Sequence, residues 1–179
     1  MSLRCFVAVD LPEEIKLKIP EVQQKIAMDG LKLVEPELVH ITLKFLGEVP
    51  ERRIDQITDA LARIRFTPFQ ARIRGVGAFP GRTIRVIWLG ATGSFEELAA
   101  AVESALEPFG FEQDKRFSAH ATLARVKDPS LSRLLSERIS GMSDLDLGEF
   151  TVERFVLKKS TLTPRGPIYE DIAEFRASQ

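Results

Sequence analysis

The chain of 179 residues carries one cysteine, two histidines, one tryptophan and one tyrosine. A single thiol, Cys5, rules out an intramolecular disulfide, and its place in an apolar run reads as packing in a reducing compartment. The expected location is therefore the cytoplasm. No apolar run approaches the roughly 18 residues that a membrane helix needs. The apolar stretch Cys5–Val9 ends at Asp10 and is too short for a signal-peptide core. Net charge is −1 and the pI about 6.2, which excludes a protein that grips long nucleic acid through many phosphate contacts. Gly-x-Ser-x-Gly, a phosphate-binding Gly-x-x-x-x-Gly-Lys loop and Gly-x-Gly-x-x-Gly are all missing, so the common acyl-hydrolase, nucleotide-triphosphate and dinucleotide folds are not indicated.

What is present is an ordinary globular composition, 44% apolar and 28% charged, in a length that suits one domain or two small lobes. Leu3–Val9 reads as a strand, followed by a helix from Pro12 to about Gly30 that Pro20 kinks or restarts. Leu38–Leu46 alternates as a strand closed by Gly47, and Glu51–Arg65 has helical spacing. Phe69–Phe79 and Ile84–Leu89 read as strands joined by a turn at Pro80–Gly81. Ser94 with Glu97 forms the pattern of a capping box opening a helix that Pro108 and Gly110 stop. Phe117–Val126 reads as a strand, Ser130–Ser140 as a helix, and Glu149–Ser160 and Ile168–Phe175 as strands. The class is α+β.

The element order repeats at an offset of about 80 residues, and the repeat carries both histidines. They stand in one frame, His40-Ile41-Thr42-Leu43 and His120-Ala121-Thr122-Leu123. In a strand, alternate side chains share a face, so each His and its Thr point together while the apolar partners turn to the core. Two such faces related by a pseudo-twofold axis present two imidazoles and two hydroxyls to one ligand. Imidazole titrates near neutrality, so one ring can take a proton from an attacking oxygen and the other give one to a leaving oxygen. Thr hydroxyls suit the non-bridging oxygens of a phosphoryl group. A phosphodiester is the expected substrate. Metal binding would need third and fourth ligands that the His-x-Thr frame does not supply.

Charge is segregated along the chain: residues 61–90 hold six Arg and no acid, and residues 91–114 hold six acids and no Lys or Arg. The group Arg72, Arg74, Arg82 and Arg85 reads either as a guide for an RNA end or as strand-edge surface.

The chain resembles the 2H phosphoesterase superfamily, named for its paired His-x-Thr-x motifs, and within it the RNA 2′,3′-cyclic phosphodiesterase or 2′-5′ RNA ligase family. Besides the segments His40–Gly47 and His120–Arg125, the resemblance rests on Phe6–Pro12, Gly75–Pro80, Arg85–Gly90 and Leu157–Thr163 leading to Tyr169. It implies one bilobal domain over 1–179, with sequence halves of about 1–80 and 81–179. Two pseudo-symmetric lobes of antiparallel sheet carry helices on the outside and an active cleft between them. It implies no cofactor or metal, a monomer without obligatory protein partner, no membrane association, and RNA ends carrying a 2′,3′-cyclic phosphate as substrate. The reaction would open that ring to a 2′-phosphate, with 2′-5′ joining of tRNA-half-like ends as a second capacity. His40 would be the acid and His120 the base, with Thr42, Thr122 and Arg125 on the phosphate.

Parity places Arg125 on the face of Leu123, away from His120, unless a bulge or the strand end re-aims it. Its counterpart Phe45 reads as core in preference to a base-stacking surface, Lys44 has the parity for a phosphate or RNA contact, and Trp88 reads as core. Two other functions fit the same motifs: a nucleotide- or RNA-binding module without turnover, and a phosphodiesterase acting on a small cyclic nucleotide.

Overall fold

A computed structural model describes residues 1–80, 82–114 and 116–178. Strand β1 (Ser2–Asp10) is buried on both faces from Cys5 to Val9, as a central strand must be. The first helical region is two pieces, α1 (Glu13–Lys16) and α2 (Ile19–Ile26). Pro20 lies in the first turn of α2, where a missing N–H costs nothing, so it restarts the helix. A short strand β2 (Leu31–Leu33), which periodicity over three residues cannot reveal, precedes β3 (His40–Pro50). Gly47 does not close β3. Its φ of 69° accommodates a shift in pairing register, and the strand continues.

Helix α3 (Ile54–Ala62), strands β4 (Phe69–Phe79) and β5 (Val86–Thr92), and helix α4 (Phe95–Leu106) follow. Ser94 precedes α4, but its ψ of 37° is not the extended geometry of a capping residue, and its side chain makes no cap hydrogen bond. The expected capping box does not form. The turn expected at Pro80–Gly81 includes Gly81, which lies outside the described residues. Strand β6 begins at His120 rather than Phe117 and ends at Val126, and α5 spans Ser132–Ser140.

The single strand expected over Glu149–Ser160 is two, β7 (Asp146–Val152) and β8 (Arg154–Thr163), separated by Glu153 alone. The extended run changes partner there: β7 pairs with β4, and β8 pairs with β1 and with β9 (Gly166–Arg176). β7 lies at one end of the strand order and β8 next to last at the other.

That order is β7-β4-β5-β6-β3-β1-β8-β9, all antiparallel, with β2 added beside β6. Among the described residues one register pair, Ile41 opposite Ala121, joins the two histidine-bearing strands. The sheet thus falls into a group of five strands, β2 included, and a group of four, which meet at β6 and β3. These groups are not the sequence halves. β4 pairs with β5, β8 pairs with β1, α2 packs on β6, and α4 packs on β3, so the halves interlace. The core is one apolar cluster that includes Val7, Ile19, Ile41, Leu43, Ile87, Leu89, Phe95, Val102 and Leu123, all buried. Burial pushes the Cys5 thiol up to about 11, with Glu48 adding to the effect, so it is not a nucleophile at neutral pH. No described helix is long and apolar enough to cross a membrane.

Candidate active site

The regular alternation that exposes His40 and Thr42 and buries Ile41 and Leu43 breaks at the next residue. Lys44 is buried as well, and Phe45 is 58% exposed. The cause is a bulge: Val7 pairs with Lys44 and Ala8 with Thr42, which leaves Leu43 without a partner across the ladder. Strand β6 does the same, since Ile87 pairs with Ala124 and Trp88 with Thr122, leaving out Leu123. Each bulge inverts the parity of the residues that follow it.

Three sequence expectations change together for this one reason. Arg125 lies on the His120 face and lines the cleft, against the parity argument. Phe45 is not core: it is exposed beside the cleft, with its ring 5.7 Å from that of Phe6. Lys44 is not a free cation for RNA. Its Nζ donates to Glu103 Oε1 at 2.6 Å and to the Glu112 carbonyl at 2.8 Å, and its side chain is 1% exposed. The equivalent position at the other bulge is Ala124, and there Gln23 of α2 donates to the carbonyls of Val34 and Leu123 instead.

The two histidines are set alike. His40 Nδ1 donates to the Leu38 carbonyl and His120 Nδ1 to the Ser118 carbonyl, each at 2.7 Å. A carbonyl only accepts, so each Nδ1 carries the proton in the neutral ring and Nε2 is left as the reactive nitrogen. His40 Nε2 is 2.9 Å from Thr42 Oγ1. The Ile41–Ala121 register directs His40 toward Thr122 and Thr42 toward His120, so the four polar side chains form a crossed set about that pair.

Their surroundings differ. His40 stacks on Phe6 at 4.9 Å and meets the edge of Tyr169 at 5.5 Å. Burial there lowers its pKa below 6.5; the Leu38 carbonyl opposes this, and Lys158 lowers it further. Lys158 is itself held by Asp10 and Asp171 at 3.1 and 2.8 Å. Burial raises the pKa of Tyr169, against the pull of Arg125 and Lys158. His120 rests near Phe79 and Trp88, at 5.2 and 6.2 Å. Trp88, expected in the core, is half-buried beneath His120, and its indole Nε1 is buried with no partner among the described residues. Gly77 opposite makes room for it, because a Cβ there would sit 2.3 Å from the indole.

A cleft of about 610 Å³ takes in both histidines, both threonines and Arg125. Phe45, Phe79 and Tyr169 also line it, as do the cations Lys32, Arg116, Lys127 and Arg165. Apart from Phe45, none of these additions was singled out from sequence as a site residue. Phe79 on β4 and Tyr169 on β9 come from strands far from β3 and β6 in the strand order, and only the tertiary fold brings their rings to the cleft. The expected arginine group does not gather at the cleft: Arg72 pairs with Asp146 and Glu149, and Arg74 with Asp144, on the far β4–β7 side. Arg82 and Arg85 are exposed beyond β4 and before β5 and do not line the cleft. No group of three or more His, Cys, Asp or Glu able to hold a metal occurs among the described residues.

A site of this kind can hold a phosphoryl group between two imidazoles, with hydroxyls and a guanidinium on its oxygens. The family described as LigT like Phosphoesterase matches the chain twice, over residues 9–88 and 90–169. A curated relative from Methanocaldococcus jannaschii, named RNA 2′,3′-cyclic phosphodiesterase, is 41% identical over 97% of this chain and all of its own length. One of the same name from Archaeoglobus fulgidus is 41% identical over 97% of this chain and 99% of its own. The crystal structure of E. coli LigT complexed with 3′-AMP superposes with a TM-score of 0.81 at 26% identity, covering the whole of both chains.

Proposed function

The chain belongs to the LigT-like phosphoesterase family, and on that premise we propose that it opens the 2′,3′-cyclic phosphate at the end of an RNA to a 2′-phosphate. The observation that carries this reading is the pair of His Nε2 atoms, each fixed by its own backbone carbonyl on the wall of one cleft with Arg125 beside them. The whole chain is read as one domain, since the cleft needs strands from both sequence halves.

In the proposed reaction His120 takes a proton from water as the water oxygen bonds to phosphorus. The bond from phosphorus to O3′ breaks, and His40 gives its proton to O3′. The product carries a 2′-phosphate and a free 3′-hydroxyl. Arg125, Thr42 and Thr122 supply donors to the non-bridging oxygens as charge builds on them. Burial makes a protonated His40 the stronger acid, as protonation of an alkoxide leaving group favours, and the bound phosphate anion helps to keep it charged. If a 5′-hydroxyl takes the place of water, the same groups join two ends through a 2′-5′ linkage.

The deciding experiment incubates a short RNA ending in a 2′,3′-cyclic phosphate with wild type, His40→Ala and His120→Ala in EDTA. The expected result is a 2′-phosphate product from wild type alone. Tight binding of the RNA without opening would make the protein a binding module, and activity only after metal is added would overturn the two-histidine assignment.

A further inference from the structure

We propose that Lys32 and Lys127 form, beside Arg125, a second phosphate subsite that holds the RNA backbone one nucleotide in from the reacting end. The proposal rests on the functional reading above and extends it to what the protein selects as substrate. Lys32 of β2 lies directly opposite Arg125 of β6 in an antiparallel pair, so both side chains leave the same face of the sheet. Lys127, one residue past the end of β6, lines the cleft as well, and its backbone is tied down by a hydrogen bond to the Gly30 carbonyl at 2.7 Å. All three cations are exposed and line the cleft.

Like charges set opposite each other across a ladder repel. Elsewhere on this sheet arginines answer that problem with carboxylates: Arg72 meets Asp146 and Glu149, and Arg154 meets Glu174. Among the described residues neither Lys32, Arg125 nor Lys127 takes part in a salt bridge. Three unopposed positive groups on one wall of a cleft are arranged for an anion that comes from outside. The reacting phosphate occupies the histidines and Arg125, and a terminal cyclic phosphate has its next phosphate one nucleotide toward the 5′ end. Lys127, just past the end of β6, and Lys32, paired across from Arg125, are the cations next to Arg125 that such a phosphate would meet. Arg165, at the β8–β9 turn, lies on the other side of the cleft. A lysine on the edge strand β2 also discourages strand-to-strand aggregation, but that role requires neither Arg125 opposite nor a place in the cleft.

The test compares two substrates, a nucleoside 2′,3′-cyclic monophosphate and a trinucleotide RNA ending in a 2′,3′-cyclic phosphate. The proteins are wild type, Lys32→Gln/Lys127→Gln and Arg165→Gln. The double variant is expected to lose roughly tenfold in kcat/KM on the trinucleotide, through KM, while its rate on the mononucleotide is unchanged. The dependence of log KM on log salt should flatten by about 0.7 per lysine removed. Equal loss on both substrates, no loss on either, or a trinucleotide loss confined to Arg165→Gln would each overturn the subsite.

Binding of a fluorescent trinucleotide with a plain 3′-phosphate, read by anisotropy, keeps the two proposals apart. If wild type opens neither substrate but binds this RNA about tenfold more tightly than the double variant, the catalytic reading fails and the subsite stands. If the two proteins bind it equally, the subsite fails whatever the chemistry.

Discussion

His40 and His120 are held by the same hydrogen bond, an Nδ1–H donated to the carbonyl two residues earlier, at 2.7 Å in both cases. The bond fixes the tautomer as well as the orientation, since only Nε2 is then free to exchange a proton with a ligand. Two strands in different parts of the chain thus deliver reactive nitrogens in matched geometry, while packing makes their environments unequal.

Removing either imbidazole should therefore abolish the proton transfer it serves without disturbing the core, because neither ring is fully buried. His40→Ala and His120→Ala are each expected to lower kcat by about 10² or more, with a thermal midpoint close to that of wild type. Loss of folded protein in both variants would assign the histidines a structural role instead.

The inequality of the two sites has a pH signature. Burial disfavours the charged form of His40, so in the folded protein it binds its proton only below pH 6.5, whereas in the unfolded chain it titrates at the ordinary value. The unfolded state then holds more protons in the acid range. The His40 contribution to stability is fully present above about pH 6.5 and is lost as pH falls below it. With two histidines in the chain, NMR resolves both Cε1–H signals, and the one that disappears in His40→Ala should titrate below 6.5. Tyr169→Ala admits water to that ring and should move its midpoint upward.

Lys44 and Glu103 form a nearly dry ion pair, with side chains 1% and 19% exposed. Breaking one half of such a pair leaves the other charge buried and unmatched, at a cost of about 3–5 kcal/mol. Glu103→Ala should shift the urea midpoint down by that equivalent, and Lys44→Met/Glu103→Leu, which removes both charges, should recover most of it. An undiminished midpoint in Glu103→Ala would mean that Asp114, 3.9 Å from the same ammonium, takes over.

Gly77 is required by the indole across from it. In Gly77→Ala the new methyl overlaps Trp88, so the ring, which lies 6.2 Å from that of His120, must shift. Because Trp88 is the one tryptophan, its fluorescence maximum reports the displacement directly. The variant should show a shifted spectrum and at least tenfold lower kcat with the fold retained. Unchanged emission with full activity would show that the ring is free to yield elsewhere.

The bond between the β3 bulge and α4 shows where local pattern stops. Sequence periodicity located most of the helices and strands, because amphipathic spacing and turn residues act over a few positions. It also exposed the doubled His-x-Thr frame, since a repeat is written in the chain itself. It read Lys44 as an open contact for a phosphate or RNA and Phe45 as core, because strand parity assumes an unbroken ladder, and a bulge depends on what the neighbouring strand does.

Glu103, the partner that holds the Lys44 ammonium, is 59 residues away in sequence. The lone extended run from Asp146 to Thr163 could not announce that it changes partner at Glu153, since both halves have the same propensity. By itself, then, the sequence determined most of the elements, the apolar faces up to each bulge and the doubled His-x-Thr frame. The interlacing of the halves, the two bulges that turn Arg125 and Phe45 toward the cleft, and the separate environments of the two histidines were decided only by tertiary structure. Each of these depends on contacts between strands that local propensity does not see.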